Sequence, residues 1–248
     1  MMRQMLRSTF LGLVFVAAGC ATRTPYNPFK VSRETFFGHT KTIAMTPFML
    51  PSDLENPEPV RTEFESLIEA KLRSAGFSVV ASGDYADIWK RVTEQMGGYF
   101  DPVTGKQDEA KFKAAQEHAR REIATKSSAD ALVHAGFTVV GAAFASGTAQ
   151  WNGTSEPVGT GGFWAQLLGN LGGLQGKIPA LSLLVIIEDV NGAEEYANAG
   201  GVQLLSKVSY GKFVPVPRDA LFADKARNAA AVSIALDPLL TTTGTDSK

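Results

Sequence analysis

The sequence has few of the residues from which metal sites and catalytic triads are built. It holds one cysteine, Cys20, and three histidines, His39, His118 and His134, in 248 residues. One cysteine cannot form a disulfide within the chain, so a hydrophobic core has to stabilise the fold. Three histidines that are far apart in sequence give a zinc site or a histidine-centred triad little to draw on. We therefore expect neither a metal centre nor an enzyme.

Signature motifs of hydrolases and long hydrophobic runs are lacking as well. The chain contains no Gly-x-Ser-x-Gly and no His-Glu-x-x-His sequence. After the first twenty residues, no apolar run reaches the roughly 20 residues that a transmembrane helix needs. Lys and Arg total 24 and Asp and Glu total 25, and this mildly acidic balance does not favour nucleic acid as a partner.

What the sequence does have is an N-terminal export signal. Residues 1–8 are basic and free of acids, and an uncharged apolar run, 9–19, follows them. The run is too short to span a bilayer permanently. It ends in the small residues Ala18 and Gly19 directly before Cys20, and this arrangement resembles the bacterial lipobox.

The lipobox resemblance implies a membrane-anchored lipoprotein. The signal peptide, 1–19, would be cleaved between Gly19 and Cys20, and the cysteine thiol would carry diacylglycerol as the chain's one non-protein group. Two or three acyl chains hold a protein stably at a membrane, whereas one chain gives only marginal binding. Ala21 after the cysteine resembles the pattern of lipoproteins exported to the outer membrane, so we expect that location, with the domain facing the periplasm. The alternative is an ordinary secreted protein with one free thiol.

Three further regions are expected after the signal. Residues 20–40 contain prolines and no sustained periodicity, which predicts an extended lipidated tether. Phe36 and Phe37 are expected to pack on the edge of the domain. The domain itself is predicted to occupy 41–240, and 241–248 to form a frayed polar tail.

Hydrophobic periodicity predicts an alternation of helices and strands. Apolar residues recur every three or four positions in four segments, which is the pattern of amphipathic helices. Alternation along 129–140 predicts a strand with Val133 and Val139 on one side and His134 on the other, so His134 is expected to be a strand residue rather than a ligand or a base. We predict a helix that is capped by Asn56 or Glu58 and ends before Gly76, and further helices over 84–96 and 107–126. A last helix is predicted from Arg218 or Asp219 to Leu236, ended by Pro238.

The remaining strands complete an α/β domain. Residues 181–187 are almost continuously apolar, which is typical of a central buried strand. Asn191 and Gly192 suit a two-residue type I′ hairpin turn after it. The fold class is therefore α/β, a single domain with a mixed sheet of about five strands packed by amphipathic helices. Other strands are predicted at 41–48, 77–80, 148–151 and 194–205, with Gly200-Gly201 breaking or bulging the last.

One segment, 153–177, combines many glycines with large apolar residues. Each glycine weakens a helix by about 1 kcal/mol relative to alanine, so we expect this insertion to be ordered by what it touches. It is interpreted either as an irregular flap over the core or as a contact for lipid, the membrane interface or a protein partner. The candidate contact residues are Phe163, Trp164, Leu167, Leu168 and Leu171.

The order of elements resembles a group of envelope lipoprotein modules. The resemblance lies in Pro47-Phe48, Gly76-Phe77, Ala129-Asp-Ala-Leu-Val133 and the hairpin sequence 183–192. These look like the α/β module shared by the curli-secretion-channel lipoprotein, the activator lipoproteins of penicillin-binding proteins and the N-terminal domain of the Tol-Pal translocation protein. The resemblance implies a binding, scaffolding or export role and carries over no functional residue.

The leading hypothesis is a non-enzymatic binding or assembly module of the cell envelope, with membrane lipid and an envelope protein as its partners. The alternative is a subunit of an oligomeric export pore, for which only 135–151 is a candidate membrane strand. A second alternative is an envelope hydrolase with an unrecognised site, in which His134 would be required.

Cys20→Ser is expected to abolish lipid attachment, because only a thiol can accept diacylglycerol as a thioether. Metabolic labelling with a palmitate analogue should mark the wild-type protein and leave the variant unlabelled. A variant that still takes up the label would contradict the lipobox assignment.

Overall fold

A seven-stranded mixed sheet runs through the structure, a computed structural model that describes residues 26–52, 54–159, 175–209 and 212–240. Two more strands form a small separate sheet. In chain order the strands are β1 (Thr42–Met45), β2 (Ser78–Val80), β3 (Ala131–Ala145), β4 (Thr148–Trp151), β5 (Thr154–Pro157), β6 (Gly176–Asp189), β7 (Glu194–Leu204), β8 (Ser206–Ser209) and β9 (Lys212–Pro215). The helices are α1 (Arg33–His39), α2 (Pro57–Ser74), α3 (Ser82–Gln95), α4 (Glu109–Ser127) and α5 (Lys225–Leu240).

The long strand β3 connects the two halves of the sheet. It is antiparallel to β6 from Ala131, opposite Asp189, to Phe144, opposite Gly176. On its other side, β3 pairs first in parallel with β1 and near its end with β4. Strand β2 extends the sheet beyond β1, and β7 extends it beyond β6. The predicted α/β domain with a mixed sheet is therefore confirmed.

The two faces of the sheet carry separate hydrophobic cores, as the alternation along β3 predicts. Val133 and Ala135 belong to the core of the first face, which includes apolar residues of α1, α2 and α5. Leu132 belongs to the core of the second face, built with α3 and α4. The predicted helices α2, α3 and α4 are thus amphipathic elements packed on opposite sides of one sheet.

We call the end of the sheet where β3 ends and β6 begins the distal end. There the second face is covered by the β4–β5 hairpin instead of by helices. Ala142, Ile178 and Trp151 pack in a third core there. The indole Nε1 of Trp151 donates to the carbonyl oxygen of Leu181 at 3.2 Å. The described parts of the glycine-rich insertion are 153–159, which contain β5, and 175–177, which contain the start of β6. Its remainder, 160–174, lies outside the described residues.

Gly200 and Gly201 let two elements approach β7 closely from opposite faces. A Cβ at Gly200 would overlap the carbonyl oxygen of Ala231 in α5, and one at Gly201 would lie 2.6 Å from Cβ of Thr154 in the β4–β5 hairpin. The strand is not broken here. It continues with a register shift between Leu181 and Ser182 of the partner strand, which is the predicted bulge.

The expectation of an extended segment before the domain is wrong for 33–39, which form α1. Ser32 caps this helix, since its Oγ accepts a hydrogen bond from the backbone N–H of Thr35 at 3.1 Å. Phe36 is fully buried in the core of the first face, not at the domain edge, whereas Phe37 is only partly buried against that core. A helix of seven residues is too short to show a period, so its structure depends on this tertiary packing.

The last helix starts later and ends later than predicted. Residues 218–220 form a 3₁₀ turn, and α5 begins at Lys225. It then continues through Pro238, whose missing N–H leaves the carbonyl of Ile234 without its helical donor. Asn198 of β7 supplies a donor instead, because its Nδ2 lies 3.1 Å from that carbonyl oxygen. The predicted stop at Pro238 is therefore wrong.

The β6–β7 turn also differs from the prediction. The N–H of Gly192 donates to the carbonyl of Asp189 at 3.0 Å. A type I′ turn requires a positive φ at both Asn191 and Gly192, but only Gly192 has one, with a φ of 88°. The carboxylate of Asp189 accepts the N–H groups of Asn191 and Ala193 at 2.9 and 2.8 Å. This side-chain capping stabilises the longer turn.

Gly200→Ala is expected to lower the free energy of unfolding by about 1–3 kcal/mol, because α5 or β7 must shift to admit the new methyl group. The matched control is Gly83→Ala in α3, where nothing lies within 4 Å of the added Cβ, and it should change stability by no more than about 1 kcal/mol. Urea denaturation measures both. Equal stability of Gly200→Ala and wild type would contradict the close approach of α5.

Candidate functional site

The residues predicted to carry the lipid and the partner contact lie outside the described residues. This applies to Gly19 and Cys20 at the predicted cleavage and lipidation site. It applies equally to the candidate contact residues Phe163, Trp164, Leu167, Leu168 and Leu171. All of these assignments stay predictions.

His134 belongs to a charged cluster where the second face of the sheet meets α4. Glu188 of β6 lies diagonally across the ladder from His134, and the two approach to 3.5 Å between Oε2 and Nε2. Arg120 of α4 completes an ion pair, with Nη2 3.1 Å from the same oxygen. On the other side of the imidazole ring, Nδ1 lies 3.3 Å from Oγ1 of Thr46. His134 is thus a packed strand residue, as the alternation predicts.

The surroundings of Glu188 move its pKa further from neutral pH. The contact with His134 lowers the pKa of Glu188, burial opposes that shift, and the charges of His134 and Arg120 reinforce it. Burial also raises the pKa of the neighbouring Tyr85 hydroxyl, against the opposing charge of Arg120. A general base works best with a pKa near the working pH, whereas the lowered pKa of Glu188 moves it in the opposite direction. The cluster is therefore an ion-pair network between α4 and the sheet.

Each of the other carboxylates near the β6–β7 turn has its own partner. Glu195 is buried, and both of its oxygens contact Nε2 of His39, at 2.8 and 3.0 Å. Glu194 lies 3.8 Å from Nζ of Lys30, and Asp189 caps the turn. Within the described residues, no group of three or more His, Cys, Asp and Glu side chains is arranged to hold a metal ion.

A more promising feature is an apolar groove on the first face of the sheet, at its distal end. The groove has a volume of about 440 Å³. Its floor includes the facing residues Val139 of β3 and Leu181 of β6. Val139 is 61% exposed although it alternates in phase with the buried Val133. The other apolar lining residues are Pro51, Leu54, Leu205, Leu221 and Phe222, and the polar ones are Glu55, Asn56, Arg218 and Asp219.

The groove is supported from below by stacked aromatic rings. Phe222 at its edge stacks on Phe137 of β3 with ring centroids 4.7 Å apart. Phe137 in turn packs edge-on against Phe64 of α2 at 4.8 Å. Phe222 also has a φ of 64°, an uncommon conformation for a large residue. This packing holds the wall of the groove in one position.

The surface that continues from the groove carries very little charge. Residues 131–187 contain one acid, Glu156, and one basic residue, Lys177. Glu156 is buried, with Oε1 2.9 Å from Nζ of Lys207 and 3.0 Å from Nη1 of Arg227. Burial favours its neutral form, but these cations and the N–H of Leu204 outweigh that effect and lower its pKa. The sheet surface beside the groove therefore has one charged side chain from this stretch, Lys177, which lies opposite Ala143 and packs over Gly141.

The groove was missed by sequence reasoning because its lining comes from five separate segments. The one sequence signal was Val139, which is apolar and in phase with the core. Val139 is exposed because no described helix covers the first face at the distal end. Within the described residues, no helix combines the length and apolar character needed to cross a membrane.

Comparison with known proteins gives only distant likenesses. The chain matches no protein-family model and no curated protein. Among solved structures, a dodecamer of a PelC variant from Paraburkholderia phytofirmans is 12% identical, with 82% of this chain and 91% of that chain covered and a TM-score of 0.35. A lipoprotein from Neisseria meningitidis is 14% identical, with 65% of this chain and 81% of that chain covered and a TM-score of 0.32. Likenesses this loose assign neither a family nor a function.

Glu188→Gln is expected to make the free energy of unfolding less dependent on pH. Folding lowers the pKa of Glu188, so its carboxylate stabilises the fold at every pH above the ordinary glutamate pKa. This stabilisation is lost as the pH falls through the lowered pKa of the folded protein. The variant should lose roughly 1–2 kcal/mol at pH 7, and its unfolding free energy should fall less than that of wild type between pH 6 and pH 3. Urea denaturation across this range measures the effect, with Glu117→Gln, exposed on α4, as the control. Parallel curves for Glu188→Gln and wild type would contradict the ion-pair role.

Proposed function

We propose that the protein is a lipid-anchored, non-enzymatic binding module of the bacterial cell envelope. Acylated Cys20 would hold the domain at the periplasmic face of the outer membrane, and the apolar groove would bind a protein partner. The observation that carries the binding role is the exposure of Val139 beside a preformed groove. Large apolar residues left uncovered in this way mark interaction sites more often than isolated exposed residues do.

The dimensions and chemistry of the groove support a protein ligand. A volume of about 440 Å³ is within the range of about 300–1,000 Å³ that is typical of binding pockets. The groove opens onto the exposed strand residues Gly141, Ala143 and Pro179, which offer a flat surface bordered by the side chain of Lys177. An apolar anchor side chain in the groove, with a backbone segment across these small residues, fits this shape.

The charged residues at the rim of the groove would select which residues flank the apolar anchor in the partner protein. Glu55 and Asp219 supply two carboxylates, and Arg218 supplies one cation. A partner segment with a basic residue beside its apolar anchor would complement this balance. We therefore propose a partner whose contact residues are apolar with a flanking Lys or Arg.

The non-enzymatic assignment is supported by how the ionisable groups are used. Glu188 binds Arg120 of α4, Glu156 binds Lys207 and Arg227, and Glu195 binds the imidazole of His39. These contacts connect separate elements of the fold. His134 is half-buried behind one of these pairs. No observation favours the hydrolase alternative.

The pore alternative also gains no support from the described residues. Its candidate membrane strand, 135–151, supplies Ala142, Ala149 and Trp151 to a core of the domain. These residues already have protein neighbours. The proposed lipid or partner contact of the insertion around Trp164 is a separate prediction, independent of the groove.

Val139→Asp is expected to weaken partner binding by at least about tenfold, because it places an unpaired charge in the apolar floor of the groove. Val139 is exposed, so the domain should stay folded, which circular dichroism checks. The matched control is Val103→Asp, at a position that is 91% exposed in the turn between α3 and α4.

The measurement is photocrosslinking in intact cells from a probe at Ala143, on the exposed strand surface next to the groove. Wild type and Val103→Asp should give the same discrete crosslinked protein, and Val139→Asp should lose it. Complementation of a deletion strain should follow the same order. A Val139→Asp protein that crosslinks and complements like wild type would refute the groove as the binding site.

A further inference from the structure

We infer that the domain lies against the membrane in which its lipid is inserted, with the surface around Tyr26 and α5 in contact with the lipid headgroups. This inference rests on the proposed lipid at Cys20 and concerns how that lipid orients the domain. The structural basis is the N-terminal strap, residues 26–32, which is part of the fold rather than a free tether.

The strap lies along the outer edge of β7. The hydroxyl of Tyr26 donates to the carbonyl of Ala197 at 2.8 Å, and the N–H of Ala197 donates to the carbonyl of Pro28 at 2.9 Å. The N–H of Lys30 donates to the carbonyl of Glu195 at 2.8 Å. The two backbone bonds form an antiparallel bridge between Phe29 and Tyr196, which continues the sheet by one more short segment.

Side chains also fix the strap. The ring of Phe29 packs edge-on against Tyr196 and Phe36, with centroids 5.2 and 5.5 Å apart. Phe36 follows in α1 and is fully buried, which alone stabilises its position by roughly 1.5–3 kcal/mol. His39 then pairs with the buried Glu195, and the guanidinium of Arg33 donates to the carbonyl of Pro238 in α5. Releasing the strap would therefore expose part of the core.

Only residues 21–25 separate Cys20 from this fixed segment. Even fully extended, the chain from Cys20 to Tyr26 spans about 20 Å. Strand β3, with its 15 residues, is about 50 Å long at roughly 3.3 Å per residue. A link of this length limits how far the domain can turn away from the bilayer. A free tether over 20–40 would reach about 70 Å and would not limit it.

The surface next to Tyr26 has the chemistry of a membrane interface. Tyr26 is 63% exposed, and Nζ of Lys30 lies 5.5 Å from the centre of its ring. Tyrosine and lysine side chains of this kind are favoured at the level of lipid headgroups, where an apolar body and a polar tip are both solvated. Tyr26, Asn152, Asn198 and Ile234 of α5 line one shallow cavity of about 480 Å³, so this surface extends from the strap to α5.

The test compares two labelled positions in the lipidated full-length protein bound to phosphatidylcholine vesicles. One fluorophore is attached at Ala230→Cys, exposed on α5 one helical turn before Ile234. The control label is at Val103→Cys, between α3 and α4, whose helices form the core of the second face. Quenching by lipids that carry a spin label on the headgroup reports proximity to the bilayer surface.

We expect at least threefold stronger quenching at Ala230→Cys than at Val103→Cys. Inserting a 20-residue Gly-Ser linker after Ala21 should reduce the difference between the two positions, because the short link then no longer limits how the domain turns. Equal quenching with the native link, or stronger quenching at Val103→Cys, would overturn the orientation while leaving the anchor intact. Failure of the protein to float with vesicles, with an unmodified mass, would overturn the lipid anchor itself.

Discussion

The antiparallel register between β3 and β6 is the constraint on which the rest of the structure depends. A slip of one residue would move Val133 and Ala135 to the side of α3 and α4 and bring Leu132 under α2 and α5. The same register puts Glu188 within reach of both His134 and Arg120. It also sets Val139 opposite Leu181, so the floor of the groove is a direct product of the pairing that builds the core.

The edge of this sheet shows how backbone groups are satisfied where a regular element is interrupted. Asn198 of β7 bonds the carbonyls of Ile234 and Ala235, and the hydroxyl of Tyr196 bonds Ala235 as well. Gly200 on the same strand brings α5 close enough for these bonds to form. A helix that contains proline is thereby held to a strand by polar side chains rather than by apolar packing alone.

The parts of the fold that sequence could predict are those governed by local periodicity. Helices α2, α3 and α4 and the alternation along β3 follow from the spacing of apolar residues. The failures arise where distant residues decide the outcome: α1 depends on the burial of Phe36, and α5 passes Pro238 because of Asn198. The groove was not predictable for the same reason, since Leu54, Val139 and Leu221 meet only in the folded chain. The lipobox, by contrast, is a local signal, and its assignment stays a prediction because Cys20 lies outside the described residues.

The strap along β7 also determines how the domain would bear mechanical load. A pull from an anchor at Cys20 enters at Tyr26, so it acts on the bonds at Tyr26, Pro28 and Lys30 one after another, as in the opening of a zipper. Opening the strap also pulls the ring of Phe29 away from Tyr196 and Phe36. The strap therefore passes a pull on the lipid directly to the core around Phe36.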